Sequence, residues 1–206
     1  MPYVALALRC LIGVVFLTSS LSKVAGRGRF HAFAESLRTM DLLPGGWVGA
    51  AARIIVVAEF ATWMLLVVSP AAGFVLAATL LTVFAVGIAH AVRRGVHAPC
   101  QCFGGTSVRP LGRPHVLRNV LLAAGAAVGT PAVLLPGELR PAGACVAALA
   151  GLCGAGLVVL LDDFLELFAP AVPPVGRGGG RGDRDDRPPR EDRAADGSRQ
   201  TTAQNS

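Results

Sequence analysis

The sequence predicts an all-α, polytopic transmembrane helical bundle with a four-helix core, an additional fifth helix and a disordered C-terminal tail. Composition is the first observation behind this prediction. Of the 206 residues, 53% are hydrophobic and only 16% are charged, whereas a typical soluble domain carries about 25% charged residues. The charges are also unevenly placed, because 13 of the 32 formal charges follow Pro174. The chain before Pro174 could not cover a surface facing water, so the lipid bilayer is its expected surroundings.

Five apolar runs are long enough to cross a hydrocarbon core of about 30 Å, which takes about 20 residues. Backbone polar groups in lipid must bond within their own segment, so each run is expected to be a helix. Proline-containing breaks at Ser69-Pro70 and at residues 136–141 separate neighbouring runs. The first run lacks a basic segment before it and is expected to be a retained helix, not a cleaved signal peptide. The runs cover residues 4–24, 47–68, 71–92, 116–135 and 142–161.

These runs divide the chain into three parts. Residues 3–135 form the predicted four-helix membrane domain, and residues 142–168 form the additional transmembrane helix. Residues 173–206 are mostly Gly, Arg, Asp and Pro, with almost no apolar side chain. Such a segment cannot bury enough surface to offset the entropy of ordering, so it is predicted to be a disordered charged tail.

The arginines predict how the chain crosses the membrane. Five spans place the loops 25–46 and 93–115 and the tail on one side, and those loops hold most of the membrane-flanking arginines. The positive-inside rule then predicts a multi-pass cell-membrane protein with an external N-terminus and with these loops and the tail in the cytoplasm. The net charge of +6 is explained by this bias. No nucleic-acid partner is expected, because the arginines are not interleaved with aromatic residues.

Cys100 and Cys102 carry the strongest chemical signal. They stand one residue apart in a Pro- and Gly-bounded loop next to the membrane surface. Thiol chemistry needs the thiolate, which nearby cations favour. Lys23, Arg53 and His90 are predicted to lie on the same side of the membrane and to supply that charge. The pair is therefore predicted to be a catalytic thiol–disulfide pair, whereas the other three cysteines lie in or near apolar runs and are expected to pack.

A metal site is the alternative interpretation of the same loop. His97, Cys100, Cys102 and His115 could together hold Zn²⁺ or Cu(I) in a non-catalytic assembly factor. Zinc sites usually separate paired cysteines by two to four residues, and here the separation is a single residue. The sequence leaves both chemistries open.

Two ionisable residues fall inside predicted spans. Arg9 lies about a turn and a half into the first, and Glu59 lies near the middle of the second. Charges at that depth cost a few kcal/mol unless they are paired. We expect an Arg9–Glu59 pair, serving as a structural clamp or in proton or ligand chemistry. A small-molecule transporter centred on this pair is the third hypothesis.

Four sequence motifs together resemble one family. They resemble the methylamine-utilisation MauE family, which is related to DoxX-like small membrane proteins, over about residues 3–135. The most specific part is the Cys-x-Cys-Phe-Gly motif with the Arg-Asn pair that follows it. The motifs are Arg9-x3-Gly13-x2-Phe16-x2-Ser19-Ser20-x2-Lys23, then Glu59, then Cys100-Gln101-Cys102-Phe103-Gly104, then His115-x2-Arg118-Asn119.

The resemblance implies a four-helix membrane core and a role in maturing exported redox proteins, such as methylamine dehydrogenase with its many disulfides. It also implies a thioredoxin-like partner and adds Arg118 and Asn119 as supporting residues. The fifth helix and the tail depart from the family pattern, and methylamine itself is not carried over as a substrate.

Oxidative maturation takes place outside the cytoplasm, whereas the arginines place the cysteine pair inside. Two accounts remain open. Either the pair relays electrons across the membrane with a partner or a quinone-like carrier, or the topology is inverted. The charge bias favours the relay.

Overall fold

The computed structural model describes residues 1–95 and 112–167, with side chains as far as residue 160. Every α-helix in these residues except α2 is long and apolar enough to cross a membrane, which gives five candidate spans. This confirms the predicted all-α, multi-pass fold. The cysteine loop and the predicted tail lie outside the described residues. The helices are α1 (Pro2–Val24), α2 (Arg29–Thr39), α3 (Val48–Val68), α4 (Pro70–Arg93), α5 (Arg113–Leu134) and α6 (Pro141–Leu167), with a 3₁₀ turn at Gly45–Trp47.

Prolines mark where the spanning helices begin. Pro2, Pro70 and Pro114 lie in the first turns of α1, α4 and α5, where the missing N–H removes no helical hydrogen bond. Pro141 is the first residue of α6. All five predicted spans are confirmed, and each begins within three residues of its predicted start.

The turn between α3 and α4 consists of Ser69 alone. Its backbone lies outside the helical region, with φ −137° and ψ 82°. A Cβ on Gly73 would come within 2.5 Å of the Leu66 backbone nitrogen, so only glycine allows α4 to pack this closely on the end of α3. The predicted break at Ser69-Pro70 is therefore a tight helical hairpin.

The short helix α2 lies within residues 25–46, which the sequence prediction treats as a loop. At 11 residues it is too short to span a membrane. It buries Phe33 against Ala52 and Val56 in the first turns of α3. Its charged side chains remain exposed, with Glu35 and Arg38 3.3 Å apart. A helix of this length leaves no signal in a search for membrane-spanning apolar runs.

The apolar core joins five helices. Among its largest fully buried side chains are Phe16 of α1, Leu66 of α3, and Phe74 and Leu81 of α4. Leu122 and Ala126 of α5 and Ala155 of α6 complete the same cluster. Many large apolar side chains on the opposite helix faces are exposed, as expected for faces that contact lipid, including Ile54, Val57, Val86, Leu121 and Val146.

Helix α6 packs on α1 through glycines. A Cβ on Gly151 would overlap the Ala7 carbonyl oxygen and the Cys10 side chain, and one on Gly154 would lie 3.0 Å from the end of Leu11. Small residues at such contacts let helix backbones approach closely in lipid, where dispersion contacts hold helices together. The additional helix is therefore part of the folded bundle.

This packing predicts that Gly151→Ala destabilises the protein while Gly156→Ala does not. The Gly151 methyl would overlap backbone of α1, and such overpacking typically costs about 1–3 kcal/mol. Nothing lies within 4 Å of a Cβ on Gly156 in the same helix, so alanine there should be neutral or stabilising by up to about 1 kcal/mol. Denaturant unfolding of the purified protein in detergent measures both. Equal stabilities would contradict the α1–α6 contact.

Candidate functional site

The buried polar residues of the spanning helices gather toward one end of the bundle. This is the end where α1 and α4 finish and where α3 and α5 begin. Buried positions toward the opposite end are apolar, as at Ala5, Leu66, Phe74 and Ala132. Polar groups in a membrane interior are costly and are functional candidates by default. This end is therefore the candidate functional site, with Ser19, Ser20, Lys23, Glu59, Thr62, His115, Arg118 and Asn119 buried in or next to it.

A buried ion pair joins α1 to α3. Lys23 Nζ lies 2.5 Å from Glu59 Oε1, and both side chains are at most 2% exposed. Ser19 Oγ donates a hydrogen bond to the same carboxylate oxygen over 3.2 Å, and Lys23 Nζ donates to Ser19 Oγ over 2.8 Å. The other oxygen, Glu59 Oε2, has no hydrogen-bond partner within the described residues.

Helix α2 covers this ion pair from the side. The Phe33 ring centroid lies 4.8 Å from Lys23 Nζ, which places the ammonium group against the face of the ring. Such a cation–π contact stabilises a desolvated cation. The helix missed in the sequence analysis thus contributes directly to the site.

The predicted Arg9–Glu59 pair is wrong. Arg9 instead donates a hydrogen bond to the Val67 carbonyl oxygen, 2.8 Å away near the end of α3. Ser19, which does contact Glu59, is ten residues further along α1, or about 15 Å. The prediction compared the depths of Arg9 and Glu59 within two antiparallel spans whose ends were taken to be level with each other. In the structure Glu59 lies beside the last turns of α1, so the first turns of α3 extend beyond the end of α1.

The sequence did contain a signal for the true partner. Ser19 and Lys23 are four residues apart, which places them on one face of a helix. This face indicates Lys23 as a cation within reach of the Glu59 carboxylate. The sequence prediction instead has Lys23 supply positive charge to the cysteine pair.

A second set of buried polar side chains lies in the first turns of α5. His115, Arg118 and Asn119 are at most 9% exposed and share one face of the helix. Asn119 Nδ2 donates to the His115 carbonyl oxygen over 2.7 Å. The same face continues into Leu122 and Ala126, which belong to the apolar core. Arg118 and Asn119, implied only by resemblance, therefore face the bundle interior.

The predicted catalytic pair lies outside the described residues, as does His97. Helix α4 ends at Arg93 and α5 begins at Arg113, so the chain carrying Cys100 and Cys102 connects two helices at the polar end of the bundle. Arg53 and His90 are exposed, and Lys23 is engaged with Glu59. Their effect on the cysteines stays a prediction.

The alternative metal set also stays a prediction. Of its four members only His115 is described, and it is buried. Residues 1–95 and 112–160 contain no group of three His, Cys, Asp or Glu side chains placed to hold a metal ion.

The remaining cysteines are not core residues. Cys145 and Cys153 lie on the exposed face of α6, and Cys10 is half-buried. The expectation that they pack inside an apolar core is therefore wrong for the two in α6, whose outer face contacts lipid.

Comparison with known proteins places this site in context. The family model described as methylamine utilisation protein MauE matches residues 1–132, which include all of the buried polar residues named above. The chain is 35% identical over 139 residues to a methylamine utilization protein MauE of Paracoccus denitrificans, covering 65% of this chain and 73% of the relative. It is 36% identical over 170 residues to the protein of that name from Paracoccus versutus, covering 77% and 84%. No solved structure matches the chain.

The ion pair predicts strong energetic coupling between Lys23 and Glu59. Glu59→Gln alone leaves a buried ammonium group without its counter-charge and should cost about 3–5 kcal/mol of stability. Adding Lys23→Met removes that charge, so the double variant should recover about 0.5–3 kcal/mol relative to additivity. Unfolding of all four proteins in detergent gives the coupling energy.

The matched control is the cycle that replaces Lys23→Met by Arg9→Gln. Because Arg9 bonds to the Val67 carbonyl oxygen, far from Glu59 along α3, its effect should add to that of Glu59→Gln within about 0.5 kcal/mol. Coupling to Arg9 with none to Lys23 would show that the pairing described here is not the one formed in the membrane.

Proposed function

Because this chain belongs to the MauE family of methylamine utilisation proteins, we propose that it is an integral membrane thiol–disulfide and electron-transfer protein. In this proposal it assists the maturation of exported redox proteins. The relatives' names connect them with methylamine utilisation, and we propose that this chain serves the maturation of a redox enzyme of that kind.

One observation carries the proposal. The buried polar residues lie toward the end of the bundle at which α4 stops and α5 starts, and the chain between these helices contains Cys100 and Cys102. A bundle that only had to be stable in lipid would have no need to bury charges at one end. The polar end is therefore the natural place for chemistry, and the two cysteines are the reactive groups connected to it.

The proposed reaction is a two-electron exchange. A thiolate of a thioredoxin-like partner attacks one sulfur of the Cys100–Cys102 disulfide and forms a mixed disulfide. The second partner thiolate then breaks that bond, so the partner becomes a disulfide and Cys100 and Cys102 become thiols. The pair returns to the disulfide when two electrons and two protons pass to a quinone-like carrier in the membrane.

The surrounding residues have supporting roles in this proposal. The Lys23–Glu59 pair joins α1 to α3, and Asn119 bonds to the His115 carbonyl oxygen within α5, the helix that follows the cysteine-containing segment. Arg53 and His90 are exposed and supply positive charge, which favours the thiolate. These are positioning and electrostatic roles, and the bonds form and break at the two sulfurs.

The two other hypotheses stand differently. The metal-binding factor keeps one supporting observation, the burial of His115 at the start of α5. The transporter was centred on an Arg9–Glu59 pair, and the structure pairs Glu59 with Lys23 instead. We therefore retain only the metal-binding factor as the second candidate.

The redox proposal predicts a reductant-dependent thiol count. Membranes containing the full chain are alkylated with a maleimide that adds mass, with and without prior dithiothreitol. The reductant should add two alkylated thiols, and Cys100→Ser should abolish that gain because no disulfide can then form. Cys145→Ser, at an exposed cysteine of α6, is the matched control and should keep the full gain.

The same assay separates the candidates. If a chelator rather than dithiothreitol exposes the two thiols, the metal-binding factor is correct. If the two thiols are alkylated to the same extent with and without dithiothreitol or chelator, both candidate functions are excluded. A partner variant that lacks its second thiol should accumulate a mixed disulfide with Cys100 or Cys102, because the thiol that resolves it is missing.

Topology yields a further prediction. With the N-terminus outside, five spans place Cys100 and Cys102 in the cytoplasm. A membrane-impermeant maleimide should therefore leave a variant that retains only Cys100 unlabelled in intact cells and label it after the membrane is opened. Labelling in intact cells would show that the orientation is the reverse of the predicted one. An electron relay across the membrane would then be unnecessary.

A further inference from the structure

We propose that the cleft between α1, α5 and α6 binds an anionic phospholipid, with the phosphate headgroup at Arg113 and Arg118 and an acyl chain along the apolar wall. The cleft has a volume of about 700 Å³. The proposal concerns lipid binding by α1, α5 and α6 and does not depend on the thiol chemistry.

The dimensions of the cleft suit a lipid of one leaflet. Arg113 is the first residue of α5, and Gly125 lines the same cleft twelve residues further along the helix. At 1.5 Å per residue the cleft extends about 18 Å into the bundle. Half of a hydrocarbon core of about 30 Å is close to that length. The walls between these ends are apolar, formed by Leu8, Leu11, Ile12, Leu117, Leu121 and Val158.

The charges in the cleft select the headgroup. Among the described residues that line it, Arg113 and Arg118 are the only ones with polar side chains, and both belong to the first turns of α5. The positive end of the helix dipole lies there too, and no acidic residue occupies that first turn.

Guanidinium groups bind phosphate through paired hydrogen bonds, and basic pockets between transmembrane helices recognise anionic headgroups. A neutral quinone headgroup would use the hydrogen bonds of the two arginines but not their charges. Charge complementarity therefore favours the phospholipid.

Native mass spectrometry of the purified full-length chain tests the proposal. Phosphatidylglycerol and phosphatidylcholine with identical acyl chains are supplied in equal amounts. The protein should retain phosphatidylglycerol preferentially. Arg113→Gln and Arg118→Gln should each reduce that retention about fivefold, the factor expected for one arginine near an anionic surface. Arg29→Gln, at an exposed position on α2, is the charge-matched control and should leave retention unchanged.

A second pair of variants tests the acyl-chain path. Leucine at Gly125 would extend into the cleft beside Leu8, whereas at Gly156 it would meet open space. Gly125→Leu should reduce retention of both lipids, and Gly156→Leu should not. If Arg118→Gln fails to fold, Arg113→Gln at its exposed position decides the headgroup question.

Three results would overturn the proposal. One is equal retention of the two lipids by the unmodified protein, and another is equal retention by the Arg113→Gln and Arg29→Gln variants. The third is displacement of phosphatidylglycerol by an equimolar isoprenoid quinone, which would assign the cleft to a quinone. None of these results bears on the thiol assay, so the two proposals succeed or fail separately.

Discussion

Lys23 and Glu59, with at most 2% of either side chain exposed, form an ion pair at the contact between α1 and α3. Neither charge could remain buried in a membrane protein without the other, so the pair fixes which faces of the two helices meet and at what register. Ser19 completes the group from one turn earlier, and Phe33 brings α2 over it. The same register sends Arg9 to the far end of α3.

The two ends of the bundle differ in the side chains that they bury. Toward one end, side chains such as Leu66 and Phe74 fill the core, and glycines such as Gly73 and Gly151 allow close helix contacts. Toward the other end, buried charged and amide side chains of α1, α3 and α5 lie among apolar ones such as Ile88. Stability in lipid explains the first half through packing. It does not explain the buried charges at the polar end, which is why we place the proposed chemistry there.

The family match spans the four-helix core and adds weight to that division, because residues 1–132 contain both halves. Helix α6 begins after the matched region, yet it packs on α1 and contributes Ala155 to the central apolar cluster. With α1 and α5 it also encloses the cleft that begins at Arg113. The additional helix therefore contributes both to the apolar core and to one wall of this cleft.

The sequence by itself determined the five spans, because length, apolar content and proline breaks are local properties that hold in any arrangement of the helices. It also identified Glu59, Lys23, Arg118 and Asn119 as candidate residues, by depth, cation placement or resemblance. Only the tertiary structure decided that Glu59 meets Lys23 and not Arg9, and that Phe33 of an overlooked helix covers them. Those facts depend on how far each helix extends past its neighbour, and side-chain packing between helices sets that offset, which no single segment encodes.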